Sequence, residues 1–216
     1  MKMNDHANQT TLEKPLFLAK DNLTSLQQTP WAGVEISKYK KLKKEVQIGE
    51  SWEISCDVKY PSTVLDSQET LSTWLQKYES ELQLPSHRQF DVLVKLIDAA
   101  LPLSLQVHPS DHDPFLSAQE CGKHESWLIL KATAMAGVYL GFQSGVTKQD
   151  VKQVLRRQGD LSLLMNFVDV AVGDYIEIQP GLVHAIGAGV TLLEAQHVKF
   201  MKSAKTYRLW DWNRRY

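Results

Sequence analysis

Short apolar runs, bounded by Pro, Gly and Asp, recur along most of the chain and define its predicted elements. In QIGESWEIS (47–55), Ile48, Trp52 and Ile54 alternate with polar positions, as in a half-buried strand. Residues 61–66 read as a loop. SQETLSTWLQKYE (67–79) then places Leu71, Trp74, Leu75 and Tyr78 three and four residues apart. That spacing predicts an amphipathic helix, with Asp66 and Glu69 framing its start. Four strand-like runs follow: DVLVKLIDA (91–99), LSLQVH (103–108), SWLILKA (126–132) and GVYLGF (137–142). A helix is expected over 147–158, opened by Thr147 with Asp150 three residues on and closed by Gly159. DLSLLMNFV (160–168) reads as a second short helix. Strands return at DYIEIQP, LVHAIG, VTLLEAQ and TYRLWDW, and VGDYIEIQPGLVHAIG reads as a tight hairpin that presents His184 from its second strand. Many short strands without βαβ alternation exclude a doubly wound parallel sheet. They predict a mainly β, antiparallel sandwich or jelly roll, with a few short helices packed outside the barrel.

Composition narrows the function classes. The chain has 216 residues, 43% of them hydrophobic, and a formal charge of −1. That length is enough for one substantial core. The near-neutral balance argues against nucleic acid and against an anionic membrane as partners, because both call for a concentrated basic face. A small anionic ligand needs only two or three local cations. One basic run, KYKKLKK (38–44), reads either as a solvated face or as a positive rim beside a phosphate pocket. Cys56 and Cys121 read as unpaired thiols in a reducing cytoplasm. Residues 1–13 are polar and lack a secretory core, and no run approaches the roughly 20 apolar residues of a membrane span.

Gln106 and His108 lie two apart in a strand, so their side chains share a face, and Pro109 ends the strand beside them. A histidine so placed is either a hydrogen-bonded packing residue or a metal ligand. Glu125 heads an apolar strand after a glycine-containing turn, where a carboxylate sits in water or is neutralised by a cation. His184 is bracketed by glycines at a strand end, a position that a purely structural histidine also takes. Two imidazoles, a carboxylate and an amide oxygen would form a mixed N/O donor set, which suits zinc better than calcium or magnesium.

Read together and in order, PLSLQVHP, GKHESW, VYLGF, GDYIEIQPGLVHAIGAG, LLEAQ and TYRLWDWNR resemble the segments of type I mannose-6-phosphate isomerases of the small bacterial form. IGESWEIS and LVKLIDA extend the resemblance upstream, so that it covers roughly residues 30 to 216. It implies a cupin jelly roll and a metal-dependent interconversion of mannose 6-phosphate and fructose 6-phosphate through an enediol. By motif, it implies one divalent ion per chain, Zn²⁺, held by Gln106, His108, Glu125 and His184. Glu194, Lys123 and Arg208 take the catalytic positions. Ser104, Lys95, Glu50 and Trp31 take substrate-binding ones. The implied ligand is a sugar phosphate, with monomer and homodimer equally compatible. The expected organisation is a flexible segment (1–13) followed by a single cupin-like catalytic domain (14–216), without the second β lobe usual in the family. A non-catalytic cupin that binds a sugar or sugar phosphate in a regulatory role is the alternative.

Overall fold

The computed structural model describes residues 15–82, 90–199 and 202–214. Its chain forms two five-stranded sheets that face each other across one core. The first sheet contains β1 (Glu50–Ile54), β2 (Val92–Ala99), β10 (Val190–His197), β5 (His124–Ala132) and β8 (Tyr175–Ile178), in that spatial order. The second contains β12 (Tyr207–Trp210), β3 (Leu105–Val107), β9 (His184–Ile186), β6 (Gly137–Phe142) and β7 (Met165–Asp169). Every pairing within these sheets is antiparallel. A small parallel pair, β4 (Glu120–Cys121) with β11 (Ser203–Ala204), closes one end. This is the mainly β jelly-roll arrangement that the strand pattern predicts.

Strand alternation explains where the core sits and why it stops. On the inward face of the first sheet, Ile97, Leu192 and Ile129 pack with Val138 and Ile186 of the second. One side-chain row further along, the same face turns polar. Trp52, Lys95, Glu194 and Trp127 stand directly opposite one another across four adjacent strands. Gln196 stands opposite Glu125 in the next row. Inward positions therefore change from hydrocarbon to charge along the barrel axis, and the polar rows mark the end at which a site forms.

The helices lie outside, as expected: α1 (Glu35–Tyr39), α2 (Leu71–Lys77) and α3 (Lys148–Arg156). Thr147 and Asp150 form the expected capping box of α3. The α2 start differs from expectation. Thr70, not Asp66, caps it by accepting the Thr73 N–H at 3.2 Å. Asp66 to Glu69 instead turn tightly, with Gln68 at φ 58° and its N–H bonded to the Val64 carbonyl. At the far end of α3 the left-handed residue is Gln158, φ 53°, ahead of Gly159.

Two expectations are overturned. The helix expected over 160–168 is a single 3-10 turn, Leu161–Leu164, followed directly by β7. The exposed edge of β6 offers a backbone ladder, and the Asn166 amide group donates to the Leu140 and Phe142 carbonyls, which fixes the extended form. The expected hairpin around Pro180–Gly181 does not form either. β8 pairs with β5 and β9 pairs with β3 and β6, so the turn carries the chain from one sheet to the other. Gly181 allows this crossing at φ +89°, a value glycine adopts without strain.

Cys56 and Cys121 are both free thiols, as the sequence suggests. Among the described residues no helix is long and apolar enough to cross a membrane. The expected flexible segment, 1–13, lies outside the described residues. Leu192 is fully enclosed between the sheets. Replacing it with alanine is expected to cost about 2–5 kcal/mol in urea unfolding. A loss below about 1 kcal/mol would mean that the inter-sheet layer is not close-packed there.

Candidate metal centre and adjoining cavity

Three buried donors meet where the two sheets face each other. Glu125 reaches in from β5 in the first sheet, and His184 from β9 in the second. His108 enters just past the end of β3. Their donor atoms all lie within 4.8 Å of one another. His184 Nε2 is 3.3 Å from Glu125 Oε1, and His108 Nε2 is 3.6 Å from Oε2. The local chain explains the convergence. The Lys123 N–H donates to the Pro109 carbonyl, the Gly122 N–H to Asp111 Oδ1, and the Gly181 N–H to the His108 carbonyl. These bonds tie the three donor-bearing segments together. A Cβ on Gly122 would stand 2.5 Å from the Asp111 nitrogen, so only glycine permits that approach.

The hydrogen bonds bear on the tautomers. His184 Nδ1 lies 2.8 Å from the Leu182 carbonyl and His108 Nδ1 3.3 Å from the Lys205 carbonyl. A carbonyl only accepts, so His184 carries its proton on Nδ1 and turns the Nε2 lone pair toward Glu125, and the Lys205 carbonyl favours the same tautomer in His108. Both Nε2 atoms and both Glu125 oxygens are buried without a hydrogen-bond partner of good geometry. Acceptors thus face acceptors in a buried cluster, an arrangement that a cation at the centre would resolve. Burial lowers the His108 pKa from 6.5 to about 4, which keeps that ring neutral. For Glu125, burial favours the neutral acid, but the Lys123 ammonium at 2.7 Å from Oε2 holds its pKa well below the usual value. A deprotonated carboxylate and two imidazole lone pairs fit a divalent ion of the zinc type.

A cavity of about 420 Å³ opens beside this cluster. Its walls include Trp31, Glu50, Lys95, Ser104, Gln106, Lys123, Glu194 and Arg208, so all the remaining residues singled out in the sequence line one space. Gln106 stands directly opposite His184 on β9 and Arg208 on β12, so the three share a sheet face. Arg208 is exposed at the rim, whereas Ser104 and Trp31 are buried in the wall. Lys95 is buried 3.4 Å from Glu50 Oε2 and 4.0 Å from Glu194 Oε1. Burial, with the nearby Glu125 charge, raises the Glu194 pKa from 4.5 to about 7, against the pull of Lys123 and Lys95. In Lys123, burial works against the charge, but Glu125 and Glu194 outweigh it and its pKa rises.

Three contributors escaped the sequence reading. Trp127 Nε1 donates to Glu194 Oε2 at 3.1 Å, while its ring meets His184 edge-on at a centroid distance of 5.5 Å. The Gln196 amide donates to Glu194 Oε1. Thr206 Oγ1 lies 3.3 Å from His108 Nδ1. Trp127 and Gln196 stand two positions after Glu125 and Glu194, and that period of two is the signal that marks them. The basic run 38–44 does not line the cavity. Lys38 pairs with Glu35 at the surface, whereas Lys40, its side chain buried, pairs with Glu53.

Comparison with known proteins follows the same segments. The model of the type I phosphomannose isomerase catalytic domain matches residues 26–126. Mannose-6-phosphate isomerase ManA of Bacillus subtilis is 30% identical over 189 residues, which cover 86% of this chain and 58% of that protein. The chain therefore spans little more than half the length of that relative. The structure of a putative mannosephosphate isomerase from Archaeoglobus fulgidus is 31% identical and superimposes with a TM-score of 0.76, over 93% of this chain and 67% of that one. A zinc-bound mannose 6-phosphate isomerase, 16% identical, shares the fold with a TM-score of 0.62 over 90% of this chain and 69% of that one.

The two perturbed groups oppose each other in the metal-free protein. His108 has a depressed folded pKa, so its contribution to stability is present above 6.5 and is lost as pH falls through about 4. Glu194 has a raised one, so its contribution is fully present below 4.5 and is lost as pH rises through about 7. Urea unfolding of the metal-free wild type is therefore expected to change little between about pH 7 and 5. Glu194→Gln removes one side, and its stability should fall by up to about 1.4 kcal/mol per pH unit on acidification. Parallel profiles for the two proteins would mean that Glu194 does not titrate in this range.

Proposed function

We propose that this chain, which belongs to the type I phosphomannose isomerase family, interconverts mannose 6-phosphate and fructose 6-phosphate in one cupin-like catalytic domain. The observation that carries the reading is the placement of Glu194. A carboxyl group with a pKa raised to about 7 lines the same cavity as Gln106, beside three orphaned donors suited to one divalent ion.

The roles follow from what each group can do. Gln106, His108, Glu125 and His184 would hold one ion, Zn²⁺ by the softness of the donor set. When bound, the ion supplies Lewis-acid polarisation of the sugar oxygens at C1 and C2. Glu194, with a pKa matched to neutral pH, takes the C2 proton of the open-chain aldose as O1 is protonated. It returns that proton to C1 of the enediol as the O2 hydroxyl gives up its own, so that one proton moves from C2 to C1 and one from O2 to O1. Trp127 and Gln196 donate to its two oxygens and so aim the carboxylate. Lys95, between Glu50 and Glu194, offsets the charge that Glu194 gains and loses in each cycle. Lys123 and Arg208 place fixed positive charge where an enediolate oxygen would develop. Ser104 donates a hydroxyl to the substrate, and Trp31 supplies an apolar wall. Both thiols being free suits a reducing, cytoplasmic setting.

Formation of fructose 6-phosphate from mannose 6-phosphate, followed in a coupled assay, is expected to require the metal, to stop on chelation and to return with zinc. His108→Ala should lose metal and turnover together. Tight binding of mannose 6-phosphate without turnover in the metal-loaded protein would sink the isomerase reading and leave a binding protein.

Glu194→Gln is expected to lower kcat by about 10²–10⁴-fold with the metal retained. Trp127→Phe keeps the ring but removes the N–H that stabilises the Glu194 carboxylate, so the acidic limb of the kcat profile should move to higher pH. An unchanged limb would mean that the indole only packs.

A further inference from the structure

A second cavity, of about 500 Å³, adjoins the first and shares Lys95, Lys123 and Thr206 with it. The two differ in charge. The walls of the first carry Lys95, Lys123 and Arg208 against Glu50, Glu194 and Asp211, an even balance. The second adds Lys59, Lys199 and Lys202 to the shared Lys95 and Lys123, and among the described residues Asp57 is the one carboxylate in its lining. These lysines come from four separate stretches of chain, so their convergence is a product of the fold and not of a basic run.

Three of the five already have counter-charges. Lys95 has Glu50 and Glu194, Lys123 has Glu125, and Lys199 has Asp111 at 2.9 Å. Lys59 and Lys202, both exposed at the mouth, form no ion pair with a carboxylate among the described residues. Two ammonium groups without ion-pair partners, set against the single carboxylate Asp57, raise the local concentration of anions, and each offers rotatable N–H donors to a compact tetrahedral oxyanion.

We propose that the second cavity is a phosphate-monoester subsite, with Lys59 and Lys202 gripping the phosphoryl oxygens above Lys199. The phosphate comes either from the hexose bound at the metal centre, reaching past Lys95 and Lys123, or from a separate phosphorylated small molecule. Only this choice of source rests on the isomerase reading.

The test is a calorimetric titration of the full chain with inorganic phosphate at low ionic strength. The wild type is expected to bind phosphate saturably. The Lys59→Ala/Lys202→Ala protein, with an unchanged circular dichroism spectrum, should bind about tenfold more weakly or worse. Arg208→Ala should bind as the wild type does. Absence of binding, equal binding by the double variant, or loss confined to Arg208→Ala would each overturn the proposal. The last result would put the phosphate in the first cavity instead. Fructose 6-phosphate then separates the sources. Competition with phosphate, together with a raised KM at unchanged kcat in the double variant, assigns the site to the substrate's own phosphate. Undiminished fructose 6-phosphate binding at saturating phosphate assigns it to a second molecule, and either result supports the subsite. A chain that binds phosphate as expected but does not isomerise would leave the subsite standing and remove only the proposed reaction.

Discussion

The confrontation of Glu125 with two neutral imidazoles is the constraint around which the polar end of the barrel is organised. Buried acceptors pointed at one another destabilise the metal-free chain, because the two Nε2 atoms and Glu125 Oε1 recover no hydrogen bond in place of those made in water, and Glu125 Oε2 has the Lys123 ammonium alone. The donors come from opposite sheets, so an ion held among them would also act as a bond across the core. Metal binding and closure of the barrel at this end are then one event described in two ways. The Nδ1 contacts to the Leu182 and Lys205 carbonyls belong to the same arrangement, since they settle which nitrogen of each ring faces inward.

Around that cluster the charges alternate. Lys123 lies against Glu125, and Lys95 lies between Glu50 and Glu194. Each lysine stabilises the anionic form of its neighbours, yet burial leaves Glu194 with a pKa of about 7 while Glu125 stays well below the ordinary range. Glu125 has the closest ammonium, at 2.7 Å, whereas the nearest to Glu194 is at 4.0 Å. Two buried carboxylates thereby differ in protonation through their distance from a lysine.

Alternation made β2, β5 and β10 legible in the sequence, because each keeps one face buried over several residues. It also put Gln106 and His108 on one face. Glu125 and His184 were another matter. Their partnership depends on which strand lies opposite which, and on a turn at Gly181 that changes sheets where a local reading expects a hairpin. Motif order supplied that information, and no spacing rule could have done so. DLSLLMNFV was misread for a related reason. Its leucines fit a helix, but the vacant edge of β6 takes up Met165–Asp169 as a strand. The basic cavity was least visible of all, since its lysines lie on four separate stretches that only the folded chain brings together.

The segment joining β6 to β7 contains α3 and the 3-10 turn, and both pack on the outer side of the second sheet around Leu161 and Met165. Both ends of the segment are tied to strands that pair with each other, β6 and the edge strand β7. The connection is therefore a closed excursion from the barrel, whose length can change at a cost that grows only slowly, roughly with the logarithm of loop length. Evolution can lengthen, shorten or replace this excursion and so redesign the outer surface, while the chemistry at the barrel's polar end keeps the same geometry.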